Sequence, residues 1–266
     1  MQGYVYLGKL RIAEVFERLE EPDRSNDLRK QADLLRESFN DVFWMEAEGT
    51  FASALDGEKD VVGSVTSNAG HCLFTGIADE SKAQKVADRL MAPDMFSGWG
   101  IRTLSSESPV YNPMSYHNGS VWPHDNALIA AGLKRYGRTA DVERIASALL
   151  DASMHSRESR LPELFCGFDR RAEVPYVAYP VACVPQAWSS AAPLMLLQAM
   201  LGVSANARQG SLDAFRPSLP EWLGRVVVSN LQVGDGRASL AFERHAEATS
   251  LSVIDRADGI RISMRD

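Results

Sequence analysis

Apolar residues recur at helical spacing through the first two-thirds of the chain and switch to strict alternation near the end. Gln2–Leu19 places Tyr6, Leu10, Ala13 and Phe16 on one face of a helix, ended by Pro22 and Asp23. A second helix, capped by Ser25 or Asn26, carries the stripe Leu28, Ala32, Leu35, Phe39 and Phe43. Short helices are predicted over 66–76 and 81–91, the latter stopped by Pro93. Longer ones follow over 119–136, with Pro123 near the start and Gly137 at the end, over 139–156, and over 185–201 before Gly202. From residue 225 the period becomes two: 225–233, 237–244, 249–255 and 260–264 read as strands. Gly-Asp-Gly at 234–236 and Asp-Gly at 258–259 supply the turns. The pattern predicts an all-α body of about seven helices over 1–216 and a small antiparallel β-unit over 217–266.

Two long segments escape both periods, 94–118 and 157–184, and such stretches inside a domain are usually functional. Segment 97–126 concentrates Trp99, Tyr111, Tyr116 and Trp122 with Arg102, His117, Asn118 and Asp125. Flat apolar faces beside planar hydrogen-bonding groups suit a sugar, whose rings offer apolar faces and hydroxyl rims. The same aromatics also suit an ordinary core, and composition does not separate the two. In segment 161–188, Glu163 sits among Leu161, Leu164, Phe165 and Cys166. A carboxylate in apolar surroundings is a candidate general acid or base, or else a cap or an ion-pair partner of Arg160 or Arg170. Gln186 and Trp188 open the following helix, as sugar contacts or as cap and core. His71 and Cys72 on an apolar helix read as core rather than as ligands. Ser120 lacks the Gly-x-Ser-x-Gly of a nucleophile elbow.

Net charge is −7, with no Lys/Arg-dense stretch. That opposes nucleic acid as a partner, because phosphate neutralisation needs a basic face, and does not oppose a neutral glycan. Apolar runs such as 191–201 are shorter than the ~20 residues that span a bilayer. With no leader visible at the N-terminus, the expected location is cytoplasmic. Cys72, Cys166 and Cys183 are widely spaced and odd in number, which predicts free thiols, no zinc site and no cofactor.

YNPMSYHNGSVWPHDNALIAAGLKRYG at 111–137, GWGIRTLS at 98–105, LPELF at 161–165 and QAW at 186–188 occur in linked order. Together they resemble the bacterial glycogen-debranching, amylo-α-1,6-glucosidase-like family. The resemblance implies part of an (α/α)6 toroid of the six-hairpin type and an inverting glycoside hydrolase acting on α-glucan. Glu163 would be its general base, with Trp99, Arg102, Tyr116, His117, Trp122, Asp125, Gln186 and Trp188 lining the sugar site. Relatives carry a Trp-Lys-Asp-like stretch with the general acid shortly before the segment matching QGYVY. Here Met1 stands directly before Gln2. The expectation is therefore a chain without its acid: a fragment, a truncated gene or a subunit, open to self-association or to a partner chain that completes the ring. The competing expectation is a glucan-binding or assembly module without turnover.

Overall fold

The computed structural model describes residues 1–246 and 248–265. Seven α-helices are present among them: α1 (Gln2–Arg18), α2 (Pro22–Val42), α3 (Asn68–Thr75), α4 (Glu80–Leu90), α5 (Pro123–Arg135), α6 (Thr139–Met154) and α7 (Ala187–Leu201). Alternate helices form one layer, in which α1 packs on α3, α3 on α5 and α5 on α7. The even-numbered helices lie against that layer, α2 on α1, α4 on α3 and α6 on α5. Close approach of α3 and α5 depends on glycine. A Cβ on Gly70 would stand 2.5 Å from Cγ1 of Ile129, and one on Gly132 would stand 2.5 Å from the backbone nitrogen of Phe74. Leu73, Ile129, Leu133, Ile145, Leu149 and Leu196 are fully buried in the resulting core. Each contributes about 1.5–3 kcal/mol by leaving water.

The helix starts differ from the pattern for physical reasons. Pro22 begins α2 rather than breaking the chain, since proline at a first turn forfeits only an N–H that has no helical partner. α5 begins at Pro123, not at residue 119. The residues before it are held extended, where Val121 bridges both Arg102 and Phe165. A tertiary pairing there overrides helical spacing.

The all-α expectation is overturned: 39% of the chain is helical and 21% is strand, in four sheets. Two small hairpins lie between α2 and α3, β1 (Trp44–Met45) with β2 (Thr50–Phe51), and β3 (Ala54–Leu55) with β4 (Val61–Val62). Two-residue strands are too short to show a period in sequence. β5 (Val203–Asn206) and β6 (Ser211–Phe215) follow α7 directly, so strand structure starts ahead of residue 217. β7 (Arg225–Val233), β8 (Gly236–Arg244) and β9 (Thr249–Arg256) form an antiparallel meander, with Gly234 at φ +60° in its first turn. β10 (Arg261–Arg265) leaves the meander and pairs with β6 in parallel, so the β-unit is not purely antiparallel. The cause is a second core, where Leu212 and Ala214 of β6, Ile260 beside β10, Leu240 and Phe242 are buried together.

Lys134 joins the two cores. It is buried, and its ammonium donates to the carbonyls of Met200 (3.2 Å), at the end of α7, and Arg216 (2.5 Å), just past β6. Burial pushes its pKa down to about 8, opposed by the charge of Glu143 and reinforced by that of Arg216. No helix among the described residues is long and apolar enough to cross a membrane.

Candidate functional site

The irregular segments are stitched together across one another. Antiparallel bridges run Arg102–Val121, Val121–Phe165 and Phe165–Ala178, and Val121 and Phe165 exchange backbone hydrogen bonds of 2.9 and 3.0 Å. Both side chains are fully buried, so the strip is pinned to the helical core. Loops held this way can fix side chains as rigidly as regular strands do.

Glu163 stands two residues before Phe165 and is 7% exposed. Its cover is thin, consisting of immediate neighbours rather than deep surroundings. Those neighbours are donors. Tyr116 Oη donates to Oε1 at 2.8 Å, the Cys183 amide to Oε2 at 3.3 Å, and Gln186 Nε2 reaches Oε1 at 3.5 Å. The Tyr116 bond, followed by those from Cys183 and Gln186, holds the Glu163 carboxyl below the usual carboxylate range against the opposing effect of burial. The same bond raises the Tyr116 phenol. Glu163 is therefore an ionised acceptor near neutral pH.

Tyr116 is locked in turn. Its carbonyl accepts from Ser120 Oγ (2.7 Å) and Trp122 Nε1 (3.1 Å), and its ring meets Trp122 edge-on at 4.8 Å. His117 lies parallel to Trp122, with an interplanar angle of 2° at 5.8 Å. Trp122 continues to Trp188 at 6.3 Å, and Trp188 stacks on His124 at 5.0 Å. Gln186 caps α7 by accepting from the Ala187 amide at 3.2 Å, which presents Trp188 in the first turn, 44% exposed. Asp125, in the first turn of α5, shares an open cleft of about 500 Å³ with Trp122, His117, Asn118, Ser67 and Thr103. An aromatic wall, hydroxyls, amides and carboxylates make a surface suited to a polyhydroxylated ligand.

Trp99 and Arg102 lie elsewhere. Trp99 is buried under the guanidinium of Arg170 (4.4 Å), edge-on to His155 and Tyr176, and borders a separate cleft of about 330 Å³ with Phe168 and Val174. Arg102 is 1% exposed, and its donors go to the carbonyls of Gly167 (2.7 Å), Pro93 (3.0 Å) and Asp94 (3.2 Å) and to Asp169. It ties loops together, with little donor capacity left for a ligand. Sequence reasoning missed Tyr179, which meets Tyr116 at 5.7 Å, and the Cys183 amide. Neither lies in a periodic element, and a main-chain donor leaves no residue-type signal. Among the described residues, no three His, Cys, Asp or Glu side chains converge as a metal site would.

Residues 1–171 match the model of the mannosylglycerate hydrolase MGH1-like glycoside hydrolase domain. No curated protein sequence matches the chain. Among solved structures, a sialidase superposes with TM-score 0.75 at 10% identity, over 95% of this chain and 24% of that one. Neutral trehalase Nth1 from Saccharomyces cerevisiae gives 0.58 at 17% identity, over 75% and 37%. A GH63 mannosylglycerate hydrolase from Thermus thermophilus in complex with glucose gives 0.52 at 19% identity, over 73% and 46%. The chain thus spans from a quarter to under half the length of these structures, and at such identities they speak to fold. The glycosidase class expected from the motifs holds, without the debranching specificity. The chain belongs to the MGH1-like glycoside hydrolase domain family.

Proposed function

We propose that this chain carries the catalytic base and part of the sugar-binding wall of an enzyme that hydrolyses an O-glycosidic bond. The observation that carries this is Glu163, a carboxylate surrounded by hydrogen-bond donors and held ionised by Tyr116. An ionised carboxylate accepts a proton from water as that water attacks the anomeric carbon. In inverting glycosidases the proton reaches the leaving oxygen from a second group, ~6.5–9.5 Å from the base. The wall from Tyr116 through Trp122 to Trp188 would stack on the sugar's apolar face, with His117, Asp125 and Gln186 taking its hydroxyls. The motifs favour an α-glucoside. The trehalase and mannosylglycerate hydrolase neighbours extend the substrates worth testing to small glycosides of glucose and mannose.

The test is a hydrolysis panel of α-glucan, trehalose and mannosylglycerate, with a pH–rate profile on the best substrate. Because Tyr116 lowers the Glu163 pKa, Tyr116→Phe is expected to raise it. The acid limb of kcat/KM, where the base is lost to protonation as pH falls, then moves to higher pH. An acid limb that stays in place would remove Glu163 from the role of base. Sugar binding with no turnover on any member of the panel, both by this chain and by a version extended upstream that supplies an acid, would support a binding module instead.

A further inference from the structure

Asp125 is held from behind by two residues that read, in sequence, as ordinary helix positions. Its Oδ1 lies 2.5 Å from His71 Nε2 on α3, and His71 Nδ1 lies 2.6 Å from the hydroxyl of Tyr4 on α1. In the tautomer that donates from Nε2 to the carboxylate, Nδ1 is the acceptor and the Tyr4 hydroxyl the donor. The chain Tyr4–His71–Asp125 thus crosses α1, α3 and α5, three successive members of one layer. With both imidazole nitrogens engaged, the ring cannot turn without breaking a bond, so the carboxylate plane is set by its neighbours. Burial and then the charge of Asp125 raise the Tyr4 phenol, which keeps it a donor.

Asp125 retains acceptor capacity. A carboxylate offers about four lone-pair positions. Oδ1 has its bond to His71, and Oδ2 is buried with no hydrogen-bond partner among the described residues. The side chain still keeps 14% of its surface, on the cleft it shares with Trp122 and His117. Oδ2 is closed to solvent, so a hydroxyl from the cleft meets the carboxylate where the side chain's 14% exposure lies, or at Oδ2 once its cover shifts. We infer that His71, backed by Tyr4, is a positioning residue that fixes Asp125 as a hydroxyl acceptor for the bound carbohydrate, an inference that rests on the glycoside hydrolase reading above.

The test uses the full chain titrated with D-glucose and with D-mannose, followed by calorimetry and tryptophan fluorescence, with thermal denaturation in parallel. Asp125→Asn and His71→Leu are each expected to weaken the better sugar by about 10-fold or more, the effect of losing or misplacing a charged acceptor. His71→Gln, whose amide nitrogen can occupy the place of Nε2, is expected to recover most of the affinity. Tyr4→Phe removes one hydroxyl from a half-exposed ring and should fold normally, with a loss of about 3-fold. Variants that melt earlier yet bind sugar like wild type would make the chain a structural tether and overturn the inference. So would His71→Gln binding no better than His71→Leu, or a wild-type protein that binds neither sugar. Hydrolysis by Glu163→Gln separately decides the catalytic reading, so the two fail independently.

Discussion

Glu163→Gln is expected to lower kcat/KM for glycoside hydrolysis by about 10²–10⁴-fold, the usual contribution of a general base. The substitution preserves shape, and the Tyr116 hydroxyl can still donate to the amide oxygen at the position of Oε1. The backbone bond from the Glu163 amide to the Cys183 carbonyl, 3.0 Å, does not involve the side chain, so the loop keeps its path. The amide NH2 at the place of Oε2 gives up only the 3.3 Å bond from the Cys183 amide, so the main change is in basicity: an amide cannot take the proton of an attacking water. Two further measurements make the result specific. Melting temperature should be close to wild type. Azide, an anionic nucleophile that needs no base, should restore turnover on an activated glycoside to Glu163→Ala, where truncation leaves room. Activity of Glu163→Gln within a few-fold of wild type would show that the base lies elsewhere.

Helical spacing was legible because burying one stripe of a helix imposes period 3.6 on the sequence; α7 (Ala187–Leu201) is apolar on all sides and was legible from its apolar run ending at Gly202 instead. The meander was legible for the corresponding reason at period two. What sequence did not show is long-range. The parallel pairing of β10 with β6 depends on Leu212 and Ala214 finding Ile260 across the second core, and no local pattern records that. The late start of α5 has the same origin, since Val121 is claimed by Phe165.

The candidate site divides along similar lines. Residue types and linked motifs marked Glu163, Tyr116, Trp122 and Trp188, which the chain brings into one connected group. They did not separate an arginine facing a ligand from one spanning carbonyls. Arg102 satisfies the same compositional argument as a sugar-binding arginine, and its role depends on where the Gly167 and Pro93 carbonyls arrive in space. His71 was hidden similarly: one histidine on an apolar helix reads as core until Asp125 is placed 2.5 Å away.

The loops that hold the site converge on Gly167, and Gly167→Ala is expected to destabilise the protein by about 2–4 kcal/mol. A Cβ there would stand 1.7 Å from the carbonyl oxygen of Gly119, an overlap with backbone that no side-chain rotation relieves. Neither strand is free to yield. The Gly167 amide donates to the Pro113 carbonyl at 2.9 Å, and its own carbonyl accepts from Arg102 Nε at 2.7 Å and Tyr111 Oη at 2.9 Å. Gly119 has φ +141°, and its backbone already lies against the Tyr111 ring, so close that an added Cβ would fall 2.5 Å from it, which leaves that segment little room on the Tyr111 side. Relief must come by moving 119–122 off the strip, which breaks the Val121–Phe165 bridge and shifts Trp122 away from Tyr116. Sugar affinity should fall together with stability, unlike in Glu163→Gln, where only turnover falls. Urea denaturation of Gly167→Ala beside Gly224→Ala, where an added Cβ meets nothing within 4 Å, supplies the measurement and its control. If Gly167→Ala unfolds within 1 kcal/mol of the Gly224→Ala variant (about a fivefold change in the unfolding constant), the loops are looser than their hydrogen bonds indicate and the strip does not set the geometry of the site.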